Sequence, residues 1–86
     1  MYQVKIYKKA LRSLKKLPLE DKARIKRVFQ KLERDPFSLD IKKLGQPYIA
    51  SHRARVGNYR IFLDIDTELK IIIILEVERR TTQTYR

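Results

Sequence analysis

Tyr2, Val4 and Ile6 alternate with polar residues over positions 2–7, the period-two spacing of a strand with one buried face. The period then changes. Leu11, Leu14 and Leu17, separated by lysines and arginine, describe a short amphipathic helix over 8–17 that must stop before Pro18. Ile25, Val28, Phe29 and Leu32 stand at i, i+3, i+4 and i+7 and predict a second helix from about Leu19 to Arg34. Glu20 and Asp21 in its first turn and Lys31 and Arg34 in its last suit the helix dipole. The Lys-Leu-Pro junction between them predicts an antiparallel helical hairpin. Residues 36–47, with two prolines and one glycine, read as a connector. Beyond it the pattern is β: strands over 49–56, 59–65 and 69–78, separated by the turn sequences Gly57-Asn58 and Asp66-Thr67-Glu68. Ile71 to Leu75 reads as a central strand buried on both sides. The order β-α-α-β-β-β predicts an α+β fold. It comprises an N-terminal strand, a helical hairpin and a three-stranded antiparallel meander, with the helices packed on one face of a small twisted sheet. No repeat, linker or low-complexity segment interrupts it, so residues 1–86 read as one domain.

Composition narrows the chemistry. A chain of 86 residues buries only about 60–65% of its unfolded surface, which leaves an adequate but thin core. With no cysteine there is no disulfide framework, no cysteine zinc site and no thiol nucleophile; a single histidine excludes a multi-histidine metal site. The five apolar residues from Ile71 to Leu75 fall far short of the roughly 20 that span a bilayer. The start, Met1-Tyr2-Gln3-Val4-Lys5, lacks the apolar stretch of a secretory signal, so the expected location is the cytoplasm. No glycine-rich phosphate loop, Ser-His-Asp set or paired-carboxylate constellation is evident.

Charge supplies the first functional pointer. The net charge of +11 on so small a domain points to a polyanionic partner: nucleic acid, an anionic membrane or an acidic protein. Ten isoleucines mark the chain as a folded one. Residues 1–44 carry 14 basic and 5 acidic side chains, and residues 45–86 carry 7 and 5. The run from Lys5 to Arg27 reads as the solvated faces of the helices, able to attract nucleic acid without sequence preference.

The more informative arginines lie in the second half. If Gly57-Asn58 is a two-residue hairpin turn, Val56 pairs with Tyr59, Arg55 with Arg60, Ala54 with Ile61 and Arg53 with Phe62. Paired residues share a face. One face then carries Ala50, His52, Ala54, Val56, Tyr59, Ile61, Leu63 and Ile65, and is expected to meet the helices. The other carries Ser51, Arg53, Arg55, Arg60, Phe62 and Asp64. Directly opposed like charges destabilise a sheet, so Arg55 facing Arg60 is unexpected if stability were the only demand. Converging guanidiniums make a good phosphate clamp. The same pattern also fits a solvated face with splayed charges, or arginines partnered by Asp64, Glu76 or Glu78. At the end of the chain, Arg79, Arg80, Tyr85 and Arg86 fit either a frayed tail or a stacking and phosphate-binding element. His52 reads as a packed or edge residue, and Tyr48 and Phe37 as packing residues.

The block His52-Arg53-Ala54-Arg55-Val56-Gly57-Asn58-Tyr59-Arg60-Ile61 resembles the YR-x-R-x-G-x-YR-I core of the RelE/ParE toxin superfamily, in its RelE-like, archaeal-type branch. Lys43-Leu44-Gly45 before the block, the aliphatic strand after it and the Arg-Arg…Tyr ending agree with that resemblance. His52 stands where the motif begins with tyrosine. The resemblance implies a toxin of a type II toxin–antitoxin system: an endoribonuclease that enters the ribosomal A site and cuts the bound mRNA, inhibiting translation. The reaction it implies is attack of a ribose 2′-OH on the adjacent phosphate. Carried over position by position, it gives Arg53, Arg55, Arg60, Arg80 (with Arg79 as the other candidate for that position) and Tyr85 as catalytic residues. Arg79, Arg86 and Phe62 become RNA-binding residues, and neither metal nor cofactor is required. It implies a RelB-like antitoxin as partner, acidic and partly disordered, seated in an apolar groove between hairpin and sheet. Operator DNA would be contacted only through that antitoxin. A ParE-like inhibitor of DNA gyrase, a non-catalytic nucleic-acid-binding module and a toxin retaining only antitoxin binding are the competing readings.

Overall fold

A computed structural model of the chain describes residues 1–46 and 49–79. Strand β1 (Gln3–Ile6) leads into helices α1 (Lys8–Lys15) and α2 (Leu19–Arg34). A single 3-10 turn (Pro36–Ser38) follows, then strands β2 (Ile41–Lys43), β3 (His52–Val56), β4 (Tyr59–Asp66) and β5 (Ile71–Arg79). The strands form one mixed sheet in the order β1-β5-β4-β3-β2; β1 runs parallel to β5 and the other pairings are antiparallel.

The α+β architecture and both helices match the sequence reading. The sheet, however, has a fifth strand. Ile41–Lys43 lies inside the expected connector, pairing Ile41 with Ala54, Lys42 with Arg53 and Lys43 with His52. Three residues are too few to display alternation, so the pattern offers nothing to read. The meander is therefore extended at one edge by β2 and bordered at the other by β1. β3 also begins at His52 rather than at position 49, and Ile49 is exposed.

Asp35 shapes the entry to β2. Its side chain accepts a hydrogen bond from the Phe37 amide (3.0 Å), and its carbonyl accepts one from the Ser38 hydroxyl (2.8 Å). Pro36 at the start of the 3-10 turn has no amide to satisfy. The turn sets Phe37 edge-on against His52, with ring centroids 5.9 Å apart.

Both helices cover the same side of the sheet. Ala10 of α1 and Ile25 and Leu32 of α2 are sealed against Ala54, Tyr59, Ile61, Leu63, Ile72, Ile74 and Val77. Burying each large aliphatic side chain contributes roughly 1.5–3 kcal/mol. Ile71, Ile73 and Leu75 are only half-buried. The aliphatic strand is thus covered on one side, not on two, because among the described residues no helix crosses the other face.

A bulge separates Phe62↔Glu76 from Leu63↔Ile74, leaving Leu75 as the extra residue of β5. It inverts the phase of the strand. Ile72 and Ile74 point to the core before it and Val77 after it. A regular strand holding Ile72 and Ile74 inward would drive Glu76 and Glu78 into the core as well. The bulge instead sends both glutamates to the helix-free face.

Candidate nucleic-acid interface

The β3–β4 register is the one expected from a two-residue turn: Val56↔Tyr59, Arg55↔Arg60, Ala54↔Ile61 and Arg53↔Phe62. Gly57 takes a φ of 55°, and Asn58 keeps a negative φ, so only the first central residue of the turn needs glycine's freedom. Arg53, Arg55, Arg60 and Phe62 therefore share the helix-free face. The unexpected strand β2 adds Lys42, the partner of Arg53.

Two cross-strand rows result. One runs Lys42, Arg53, Phe62, Glu76 across β2 to β5, and the other runs Arg55, Arg60, Glu78 across β3 to β5. Within these two rows the cations lie on β2–β4 and the carboxylates on β5. Arg55 and Arg60 are direct partners, an arrangement that places Cβ atoms roughly 4.5–5.5 Å apart. Arg60 Nη1 lies 4.0 Å from Glu78 Oε1, with the two side chains 42% and 48% exposed. A pair that long and that wet contributes about 0–1 kcal/mol. Among the described residues Arg53 and Arg55 make no ion pair with a carboxylate. Arg53 Nε, shut off from solvent, has no hydrogen-bond partner among them either.

Beside the arginines lies a cleft of about 540 Å³, walled by Tyr7, Ile49, Ala50, Phe62 and Leu75 and edged by Lys9, Asp64, Glu76 and Glu78. Lys9 reaches Glu76 at 3.4 Å. The Asp64 carboxylate accepts a 2.9 Å hydrogen bond from the Ser51 amide. Lys42, Tyr7 and Ile49 escaped the sequence reading because the first depends on β2 and the others lie in separate elements. The glutamates were visible only as partners for the arginines, since the bulge leaves no mark in an Ile-Ile-Ile-Ile-Leu run.

Ser51, His52 and Asp64 adjoin one another without forming a nucleophilic set. The Ser51 hydroxyl accepts from the Ile65 amide (3.1 Å) and lies 2.7 Å from His52 Nδ1, while Asp64 binds the Ser51 backbone rather than the imidazole. Burial, with Lys43 nearby, pushes the His52 pKa below 6.5; Asp64 partly offsets this. The imidazole is neutral at pH 7 and packs, as the sequence suggests.

Arg79 is placed differently from the other arginines. It pairs with Tyr59, so it projects to the helix side of the sheet. There the Tyr59 hydroxyl donates a 2.6 Å hydrogen bond to Asp21 of α2, which, with burial, raises the phenol's pKa above 10.0; Arg79 and Arg24 pull the other way. Arg80, Tyr85 and Arg86, like Tyr48, lie outside the described residues. Among the described residues no group of three or more potential metal ligands gathers, and no helix is long and apolar enough to cross a membrane.

Comparison with known proteins agrees with this architecture. Residues 4–84 match the family of ParE toxins of the parDE type II toxin–antitoxin system. The chain is 31% identical over 83 residues to a Methanocaldococcus jannaschii protein assigned as toxin RelE1, covering 92% of this chain and 90% of the relative. It superimposes with a TM-score of 0.81 on a chain of the Mycobacterium tuberculosis RelBE2 toxin–antitoxin complex, at 34% identity over 92% of this chain and 98% of that one. The archaeal RelE–RelB complex of Pyrococcus horikoshii gives the same TM-score at 31% identity, covering 95% and 98%. The strand–hairpin–sheet fold, the arginine-bearing hairpin and these likenesses converge: the chain belongs to the RelE/ParE family of toxins of type II toxin–antitoxin systems.

Proposed function

We propose that residues 1–86 form a single RelE-like toxin domain that cuts mRNA in the ribosomal A site and so stops translation in the cytoplasm. The observation that carries this reading is the gathering of Arg53, Arg55 and Arg60 on the helix-free face, with Arg55 and Arg60 in direct register. Two guanidiniums held side by side at a cost in repulsion suit a phosphodiester, whose charge they neutralise bidentately. In the reaction, the 2′-oxygen of a ribose bonds to the adjacent phosphorus and the 5′-oxygen departs, leaving a 2′,3′-cyclic phosphate and a 5′-OH. Arg55, Arg60 and Arg80 hold the phosphoryl oxygens as charge builds on them. Arg53 orients the ribose or the backbone, Phe62 offers a stacking surface and Arg86 contacts RNA farther out; Arg79, which projects to the helix side, meets RNA only beyond the edge of this face. Tyr85 handles a proton or stacks on a base. Alignment by the ribosome supplies the positioning that so open a face lacks.

A RelB-like antitoxin is the proposed protein partner, as in the two complexes above, and operator DNA is reached only through it. A groove of about 260 Å³ is lined by Ile6, Leu14, Ile25 and Phe29 and rimmed by Lys15, Lys22 and Lys26. It fits an acidic amphipathic segment. The test is mRNA cleavage in a translating extract by the wild-type chain and by Arg60→Ala and Tyr85→Ala. Loss of cleavage in the variants supports the assignment, and unchanged cleavage refutes it. Because the matching family model is named for ParE, a gyrase supercoiling assay is the second arm; inhibition there without mRNA cleavage transfers the target to gyrase.

A further inference from the structure

The arginine strip can neutralise a phosphate, but it cannot take the proton that the attacking 2′-hydroxyl must lose. Guanidinium has no acceptor and stays protonated throughout the physiological range, and an ammonium is equally unable to accept. A carboxylate is the side chain that both accepts and is ionised at neutral pH.

Three carboxylates, those of Asp64, Glu76 and Glu78, lie on the β4–β5 part of the helix-free face beside Arg60, and the structure separates them; Asp40, whose carbonyl accepts a 3.1 Å hydrogen bond from the Arg55 amide, stands beyond Arg55, on the side away from Arg60. Asp64 is engaged by the Ser51 amide at 2.9 Å. Glu76 is held by Lys9 at 3.4 Å and is 28% exposed. Glu78 ends the row Arg55–Arg60–Glu78, 48% exposed. Its contact with Arg60, at 4.0 Å, is longer than the 2.7–3.2 Å of an N–H···O hydrogen bond. Its oxygens therefore remain open beside the guanidinium. The position depends on the bulge at Leu75, without which Glu78 would face the core.

Resting on the cleavage reading above, we propose that Glu78 is the proton acceptor for the 2′-hydroxyl. In a nucleotide chain the attacking oxygen and the phosphorus it reaches belong to adjacent groups, so a phosphate clamp and a proton acceptor must adjoin. Arg60 and Glu78 are neighbours on adjacent strands and meet that demand. The O2′–H bond breaks and its proton passes to a Glu78 oxygen while the O2′–P bond forms. The P–O5′ bond breaks, and the departing 5′-oxygen is protonated by a separate donor, the Tyr85 phenol or water. Glu78 then returns its proton to solvent.

The competing role is electrostatic: Glu78 relieves the repulsion between Arg55 and Arg60 and touches no substrate. Glu78→Gln separates the two. The full-length variant is assayed on ribosomes programmed with a short mRNA, beside wild type and Glu68→Gln, a substitution in the exposed β4–β5 turn. The acceptor role predicts that Glu78→Gln slows single-turnover cleavage by about 100-fold or more. Ribosome binding is retained, the melting midpoint moves by less than about 4 °C, and Glu68→Gln cuts like wild type. On an mRNA with sulfur in place of the 5′-bridging oxygen, whose departure needs no proton, the Glu78→Gln defect persists. Cleavage by Glu78→Gln at the wild-type rate or faster, or recovery on the sulfur substrate, overturns the proposal while the cleavage reading stands. If the wild-type chain does not cut, the cleavage reading fails and this assignment fails with it.

Discussion

Tyr59 and Asp21 join the hairpin that carries the arginines to the helix packed behind it: the buried phenol donates a 2.6 Å hydrogen bond to the carboxylate. Tyr59→Phe keeps the ring and removes the bond. A hydrogen bond to a charged acceptor contributes about 1.5–3 kcal/mol, and loss of that size is the expected outcome in urea unfolding. Asp21→Asn in the Tyr59→Phe background should add little, since one bond cannot be lost twice. Additive losses would show that the two residues act separately.

Gly57 holds a φ of 55°, and a Cβ there would stand 2.5 Å from Arg24 Nη1. Gly57→Ala should cost about 1–2 kcal/mol from the backbone alone, with Arg24 displaced besides. Gly45 has nothing within 4 Å of such a Cβ. Gly45→Ala should stay within about 0.5 kcal/mol of wild type. Comparing the two denaturation midpoints checks both values.

His52 makes stability depend on pH. Its folded pKa is depressed, by burial first and Lys43 second, against a smaller opposing effect of Asp64. Below the ordinary value of 6.5 the unfolded chain binds a proton that the folded chain resists, so stability present above that pH is lost as pH falls. His52→Gln cannot titrate. Between about pH 7.5 and pH 5, wild type should lose more stability than this variant; equal losses would contradict the depressed pKa.

Arg55 and Arg60 should govern how RNA binding responds to salt. Each phosphate contact to a single strand contributes about 0.7 to the slope of log K against log salt. Arg60→Ala should lower both the affinity for an unstructured oligoribonucleotide and that slope, by about one such step. Lys31→Ala, on an exposed turn of α2, should change the slope less. The measurement is a binding titration at several salt concentrations.

The hairpin was the most legible part of the fold because two constraints coincided there. Gly57-Asn58 allows a two-residue turn, and alternation from Ala54 to Leu63 permits one buried face. Together they specify the side of the sheet that the arginines take. β2 was illegible because three residues carry no period. The bulge was illegible for the opposite reason: every position of Ile71–Leu75 is apolar, so either phase satisfies the core. The side taken by Arg79 followed from Val77 facing inward two residues earlier, a step that depends on knowing the phase after the bulge. The placement of Glu78 depends on it too.

Strand β1 sits in parallel beside β5, with Gln3 opposite Ile71 and Ile6 opposite Ile74. Residues 3–6 thus wait for residues 71–74 before they can pair. Contacts so distant in sequence form slowly and late. Among the described residues β1 has no other partner, so that edge of the sheet closes only once β5 is in place, while the β3–β4 hairpin with its arginines pairs locally and needs neither.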